Sequence, residues 1–367
     1  MSFSEFEKSL PQYDLWEYLK NTDKSIVMYG MGNGADKIIC ELDKIGVTVA
    51  DFFASDGFVR GQCFHEKKVL SFGEIKEKYN DFIILVSFGS EREEVVNFIE
   101  KMSFEYELYL PDVPVAGEGL FNLDFYHENR EKIKKAYELF ADEKSKKCFE
   151  NIILYKLTGK IGYLLCENES DEEIYANILN TTNYKVAADL GAYNGDSTVF
   201  ISANSTNLEK IIAIEPDRKN YAKILRNTEN IKVVVEAHNL CAWSERTALS
   251  FDRGGNRNSS VSGIGHTPSI GDTKKEIVTG DALDNIAGTN KIDFIKIDVE
   301  GAEAEAIKGC NKIMSRYAPE MHISAYHRNG DIFELTILIN SLLPEHKLYL
   351  RRKRCLPAWE ISLLAVK

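Results

Sequence analysis

The sequence predicts an α/β protein made of two Rossmann-like doubly wound sheets, the second of them closing on an antiparallel strand. Three observations carry the prediction. Apolar, strand-length runs alternate with amphipathic helical stretches up to about residue 115 and again from about residue 181. A glycine-bearing turn follows an early strand of each half, MYGMGNGADK at 28–37 and DLGAYNGDST at 189–198. The tail, HKLYLRRKR and then EISLLAVK, reads as a hairpin. At 367 residues the chain is long enough for two cores.

In chain order, SIVMYGMGNGADKIICELDKIGVTVADFFASDG is a βαβ unit, and DFIILVSFGS is a further strand leading into the acidic-fronted helix EREEVVNFIEKM. PDVPVAG, with two prolines, marks a boundary and sets the first domain at 1–115. Residues 116–180 are helical and polar and read as a connector or lid. In 181–367 the runs KVAADL, KIIAIEP, IDFIKIDV and EMHISAY are strands with helices between them, as a mostly parallel sheet requires.

Composition narrows the classes of function. A hydrophobic fraction of 44% with 28% charged residues describes an ordinary globular chain. A net charge of −12 argues against nucleic acid or a membrane surface as partner, because both need a basic footprint. The run Arg351, Arg352, Lys353 and Arg354 is read as a solvated strand edge, with contact to an anionic substrate as the alternative. The N-terminus MSFSEFEKSL lacks the pattern of a signal peptide and no apolar run reaches the ~18–20 residues of a membrane span, so a cytoplasmic location is expected. The seven cysteines show no CxxC pair and are expected to be reduced and mostly buried.

The turn AADLGAYNGDST stands where an open α/β sheet binds ligands, between a strand end and a helix start. Gly191 and Gly195 allow positive φ and close approach of backbone to ligand. Asp189 precedes the turn, and Asp196 with Ser197 is expected to cap the helix, a poor setting for a pyrophosphate. Carboxylates suit a nucleoside with a cationic tail, which describes S-adenosylmethionine. Glu215, at the end of IIAIEPD, stands where an acid accepts hydrogen bonds from both ribose hydroxyls.

DLGAYNGDS and IEPD resemble the first two motifs of class I S-adenosylmethionine-dependent methyltransferases. IDFIKIDVEGAEAEAIKG resembles the KxDVEGxE signature of the FkbM family, and EMHISAYHRNGDIFEL with HKLYLRRKR is similar to that family's following segments. The resemblance spans roughly residues 185–367. It implies a class I methyltransferase fold for the second domain. It also implies S-adenosyl-L-methionine as cofactor, held by Asp189, Gly191, Ala192, Tyr193, Asn194, Gly195, Asp196, Ser197, Glu215, Pro216 and Ala242. The implied reaction is O-methylation of a sugar or polyketide hydroxyl, with surface polysaccharide biosynthesis as the setting and a sugar or glycan, free or nucleotide-linked, as acceptor. The family's Arg-His pair in the penultimate strand is here Arg351-Arg352, so no role passes from that histidine. The glycine- and serine-rich stretch 252–272 is expected to form the substrate-side loop.

Methyl transfer is an in-line displacement, and an alcohol needs a base or a metal to take or weaken its proton. His327, between a strand and the turn RNGD, is the first choice of general base, with His266 as the alternative. Asp298 and Glu300, at a strand end beside Gly301, are assigned to substrate hydroxyls or base work. The competing reading is that Glu300 and Glu303 only favour the next helix start. With no third ligand in view, no metal is expected. In the first domain Gly30, Gly32 and Gly34, one residue short of GxGxxG, with Asp51 and Asp56, fit either a nucleotide-sugar site or a ligand-free scaffold. The alternatives to a methyltransferase are an NAD-dependent nucleotide-sugar oxidoreductase and a non-catalytic S-adenosylmethionine-binding protein.

Overall fold

The computed structural model describes residues 2–252, 261–262 and 275–367. Among them, one parallel sheet runs in the order Leu70–Ser71, Asp51–Ala54, Ser25–Tyr29, Phe82–Val86, Glu107–Tyr109. A second sheet runs Val234–His238, Lys210–Ile214, Val186–Leu190, Phe294–Ile297, Glu320–Ser324, Ile361–Val366, Lys347–Arg352. Its first five strands are parallel, and Ile361–Val366 lies antiparallel to both of its neighbours. The fold is therefore the doubly wound α/β arrangement that the alternation of runs predicts, with the closing strand antiparallel.

The strands are apolar on both faces because helices cover both sides. In Val186–Leu190 and Lys210–Ile214 every residue after the first is buried. The order reverses between Val186–Leu190 and Phe294–Ile297, since the chain leaves the first toward one edge and returns beside it. That switch point opens a crevice at the carboxyl ends of the two strands.

The stretch read as a polar connector is a structural centrepiece. Helix Glu143–Thr158, capped by Asp142 and ended by Gly159 at φ +64°, is buried along most of its length. Its Phe149, Ile152 and Ile153 belong to one hydrophobic cluster that includes Val27 and Ile84 of the first sheet and Ile295, Ile323 and Leu363 of the second. Its own Lys156 forms a buried pair with Asp112 at 2.7 Å. The polar look of 116–180 comes from residues on the helices' outer faces, and composition averaged over both faces hides the apolar one.

The reading of Arg351–Arg354 as a solvated edge fails for its first two residues, while Lys353 and Arg354 are partly exposed. Arg351 and Arg352 are 4% and 3% exposed. Arg351 Nη2 lies 2.6 Å from Asp142 Oδ2 and its Nε 2.7 Å from Glu169 Oε2. Arg352 donates to Asn168 Oδ1 at 3.0 Å and to the carbonyls of Leu164 and Cys355. The arginines tie the last strands to the helical segment, and neither contacts an anionic ligand site.

Of the seven cysteines, Cys148, Cys241, Cys310 and Cys355 are buried and Cys40, Cys63 and Cys166 exposed, all unpaired. The expected substrate-side loop at 252–272 and His266 lie outside the described residues, apart from 252 and 261–262. Among the described residues no helix is long and apolar enough to cross a membrane.

Candidate active site

At the switch point a cleft of about 370 Å³ opens, lined on one side by Gly191, Tyr193, Asp196, Ser197, Glu215 and Pro216. The turn is built by backbone bonds: Gly191 and Ala192 N–H both donate to Ile214 O, at 2.9 and 3.0 Å, folding the chain sharply off the strand. Gly191 takes φ +82° and Tyr193 φ +47°. Strain of this kind in a non-glycine residue persists only where surrounding bonds hold it, and here Tyr193 N–H donates to Glu215 Oε2 at 3.0 Å.

Glu215 is 6% exposed and accepts a second bond from Asp217 N–H at 2.9 Å. Burial pushes its carboxyl up to about 7, against the pull of the Asp217 and Tyr193 amides. Asp217 in turn caps helix Arg218–Asn227. Asn220, Cys241 and Ala242 continue the wall beyond it.

Asp189 does not face the cleft. It is fully buried beneath the turn, where Oδ2 accepts from Ser197 Oγ at 2.7 Å and Thr198 Oγ1 at 2.6 Å. Lys296 Nζ, from the adjacent strand, lies 3.9 Å from Asp189 Oδ1 and 3.7 Å from Asp298 Oδ2. Asp196 and Ser197 are not N-caps: helix Asp196–Asn204 begins after Gly195 at φ +90°, which offers no side chain. Asp196 accepts from Ser197 N–H at 2.7 Å, and Ser197 turns its hydroxyl inward to Asp189. Ala192 packs below the turn with Ala213 and Ile224. Asn194 accepts from Asp196 N–H and from Asn227 Nδ2, which shapes the turn from outside.

The far end of the cleft is rich in acids. Asp298 and Glu300 line it together with Asp171, Glu360 and Glu91, and Lys296 and Lys353 stand among them. Glu300 and Gly301 have φ +53° and +94°, a second tight turn opposite the first. His327 is fully buried behind this turn and is not part of the lining. Its Nδ1 stands 2.9 Å from Glu303 Oε1, and its Nε2 3.4 Å from Glu300 Oε2 and 3.6 Å from Asp298 Oδ1, contacts that miss hydrogen-bond geometry. Burial alone would hold the imidazole's pKa down, but the carboxylates of Glu303, Asp298 and Glu300 outweigh it and push it up to about 10. His327 therefore keeps its proton at neutral pH, which does not suit the expected general base. Burial would likewise raise the Asp298 carboxyl, but Lys296 and His327 hold it below the usual carboxylate range.

Residues 189–353 match the model of the methyltransferase FkbM domain. The chain carries an FkbM methyltransferase domain. The crystal structure of methyltransferase FkbM from Methylobacillus flagellatus KT has a TM-score of 0.72 at 18% identity, covering 99% of this chain and 96% of that one. The precorrin-6y C5,15-methyltransferase from Geobacter metallireducens GS-15 has a TM-score of 0.33 at 12% identity, over 54% of this chain and 90% of that one. Aeropyrum pernix fibrillarin, in complex with S-adenosyl-L-methionine, has a TM-score of 0.31 at 10% identity, over 51% of this chain and 69% of that one. No curated protein matches the sequence at a significant level.

Within the FkbM domain, the cleft brings Gly191, Tyr193, Asp196, Ser197, Glu215, Pro216 and Ala242 into one wall and Asp298 and Glu300 into the other. Asp189, Ala192, Asn194 and Gly195 support it from behind, and His327 stands behind the acidic wall. Sequence reasoning missed His322, whose Nε2 meets Ser362 Oγ at 2.7 Å and whose pKa burial lowers to about 4. It also missed Asp171 and Tyr175 from the helical segment and Glu91 from the first sheet's last loop. Glu91 arrives because Ser90 and Leu356 exchange backbone hydrogen bonds, at 2.7 and 3.0 Å, and so lock that loop onto the segment between the last two strands. No local pattern announces such a long-range pairing. The first domain's acids lead elsewhere: Asp51 Oδ2 accepts from Lys78 Nζ at 2.7 Å and from the Tyr79 hydroxyl, and Asp56 is exposed.

Proposed function

We propose that this FkbM methyltransferase transfers the methyl group of S-adenosyl-L-methionine to a hydroxyl of a sugar or glycan, in the assembly of a surface polysaccharide. The observation that carries the reading is Glu215: a buried carboxylate fixed by two backbone amides at the edge of a cleft whose opposite end is acidic. Such a carboxylate accepts from the two ribose hydroxyls of an adenosine, while the glycine turn admits the cofactor's body and Asp196 with the acids beyond favours its cationic tail. The chain divides accordingly, with 181–367 holding the cofactor, 116–180 lending Asp171 and Tyr175, and 1–115 lending Glu91.

The acceptor lies at the acidic end. Asp298, Glu300, Asp171 and Glu360 accept hydrogen bonds from hydroxyls and repel phosphates, so the reactive part of the acceptor is a polyhydroxylated, uncharged group. Its oxygen attacks the methyl carbon, the carbon–sulfur bond breaks with its electron pair passing to sulfur, and the hydroxyl proton passes to Glu300 at the cleft edge. Asp298 and Lys296 orient the hydroxyl, and His327 holds the Asp298–Glu300 turn in place as its buried counter-charge.

Calorimetric titration with S-adenosylmethionine and with NAD tests the cofactor, and transfer of labelled methyl groups into a panel of sugars, nucleotide sugars and glycans tests the reaction. Binding of NAD alone defeats the reading. Cofactor binding with no transfer to any acceptor of the panel favours a non-catalytic binding protein.

A further inference from the structure

Three segments converge behind the acidic wall of the cleft: the end of strand Phe294–Ile297, the first turn of helix Glu303–Lys308 and the turn before helix Asp331–Leu342. Asp298, Glu303 and His327 each bring one ligand-type atom there, all within 4.8 Å of one another. Glu303 is 1% exposed and His327 0%. Both ring nitrogens of His327, Oδ1 of Asp298 and Oε2 of Glu303 are buried without a hydrogen-bond partner. Buried polar atoms in this number are costly unless something binds them.

Further carboxylates stand around the same point. Glu300 Oε2 lies 3.4 Å from His327 Nε2. Asp331, also buried, lies near Glu303 and His327 and accepts from the backbone N–H of Arg328 at 2.7 Å. Among these acids stand the cations Lys296, 3.7 Å from Asp298 Oδ2, and Arg328, whose Nε donates to the carbonyl of Gly301 at 2.7 Å. Four acids thus stand around one imidazole.

We propose that Asp298, Glu303 and His327, with Glu300 at the rim, bind a divalent metal cation, which displaces the proton from the ligating nitrogen of His327 and takes over its counter-charge. Ligands on opposite sides of an ion with bonds of about 2.1–2.4 Å stand about 4.2–4.8 Å apart, and cis ligands stand closer, so the observed spacing accommodates one ion. An imidazole beside carboxylates favours a transition-series ion, Zn²⁺ or the harder Mn²⁺, over Ca²⁺. Binding is independent of the cofactor reading, whereas its role rests on that reading. Beside Asp298 and Glu300 the ion would take the acceptor hydroxyl as a ligand and weaken its O–H bond. Glu300 then receives the proton as oxygen bonds to the methyl carbon and sulfur keeps the electron pair of the broken bond.

The test uses the full chain after treatment with a chelator. Titration with MnCl₂ and with ZnCl₂ is followed by calorimetry, with electron paramagnetic resonance of free Mn²⁺ as a second readout. The expected result is about one equivalent bound, a rise in Tm, and affinity lower by about 10–100-fold in Glu303→Gln and His327→Gln. If wild type binds neither ion stoichiometrically, or if both variants are folded and bind as tightly as wild type, the proposal is overturned. Should the variants not fold, Asp298→Asn takes their place in the same titration. S-adenosylmethionine binding, measured with chelator present, separates failure of the metal site from failure of the cofactor reading.

Discussion

Gly191 and Asp298 pack backbone against backbone: a Cβ on Gly191 would stand 1.8 Å from the carbonyl oxygen of Asp298. Asp298 N–H meanwhile donates to Leu190 O at 2.9 Å. The turn assigned to the cofactor and the turn assigned to the acceptor are thus one rigid junction, and reactants held on the two sides keep a fixed distance and angle. Displacement at carbon depends on that alignment.

Gly191→Ala should therefore damage both sides at once. Positive φ and the overlap together cost about 2–4 kcal/mol, because no flexible side chain lies in the way to yield. Thermal unfolding should show a clear drop in Tm, and calorimetry a loss of cofactor affinity. A variant with unchanged Tm would mean that the two strand ends separate easily.

Glu215 predicts a pH dependence. Its free carboxyl sits near 7, above its ordinary 4.5, so folding favours the protonated form and the stability that this proton contributes is lost as pH rises through 7. Ribose hydroxyls donate more strongly to the ionised form, and only that form accepts from both with two anionic oxygens. Affinity for S-adenosylmethionine should accordingly fall as pH drops below 7, by at most about tenfold per unit. Glu215→Gln should bind weakly and show a flat profile in calorimetry between pH 5.5 and 8.

Arg351→Met should weaken the tie between the last strands and the helical segment. Asp142, partly exposed, would lose its guanidinium and Glu169 would keep only Lys144, at 2.7 Å, a change that costs about 1.5–3 kcal/mol. Denaturant unfolding measures the loss. Methyl transfer at temperatures well below the new Tm should survive, since Arg351 does not line the cleft.

Glu300→Gln should lower kcat by about 10²–10⁴ and leave cofactor affinity close to wild type, because Glu300 lies across the cleft from the glycine turn. His327→Ala should also lose rate, by disturbing the Asp298–Glu300 turn and not by removing a base. The pH–rate profile distinguishes the two: Glu300→Gln alters its acid limb, and His327→Ala lowers it throughout.

The sequence by itself determined the alternation of strands and helices, the glycine turn at 191–195 and the acid at 215. Each is a local matter: apolar period, backbone freedom at glycine, and a carboxylate at a strand end. Asp298, Glu300 and His327 were also legible as residues at strand ends. Only the tertiary structure decided what those side chains face. Asp189 was read as a ligand contact but is sealed under the turn with Lys296, because the two lie side by side on neighbouring strands. Arg351 was read as solvated but is buried, because its acidic partners come from about 180–210 positions earlier in the chain. His327 was read as a base, but three carboxylates from two turns surround it and fix its proton. Burial and charge pairing are sums over neighbours distant in sequence, and a single chain read in order does not contain that sum.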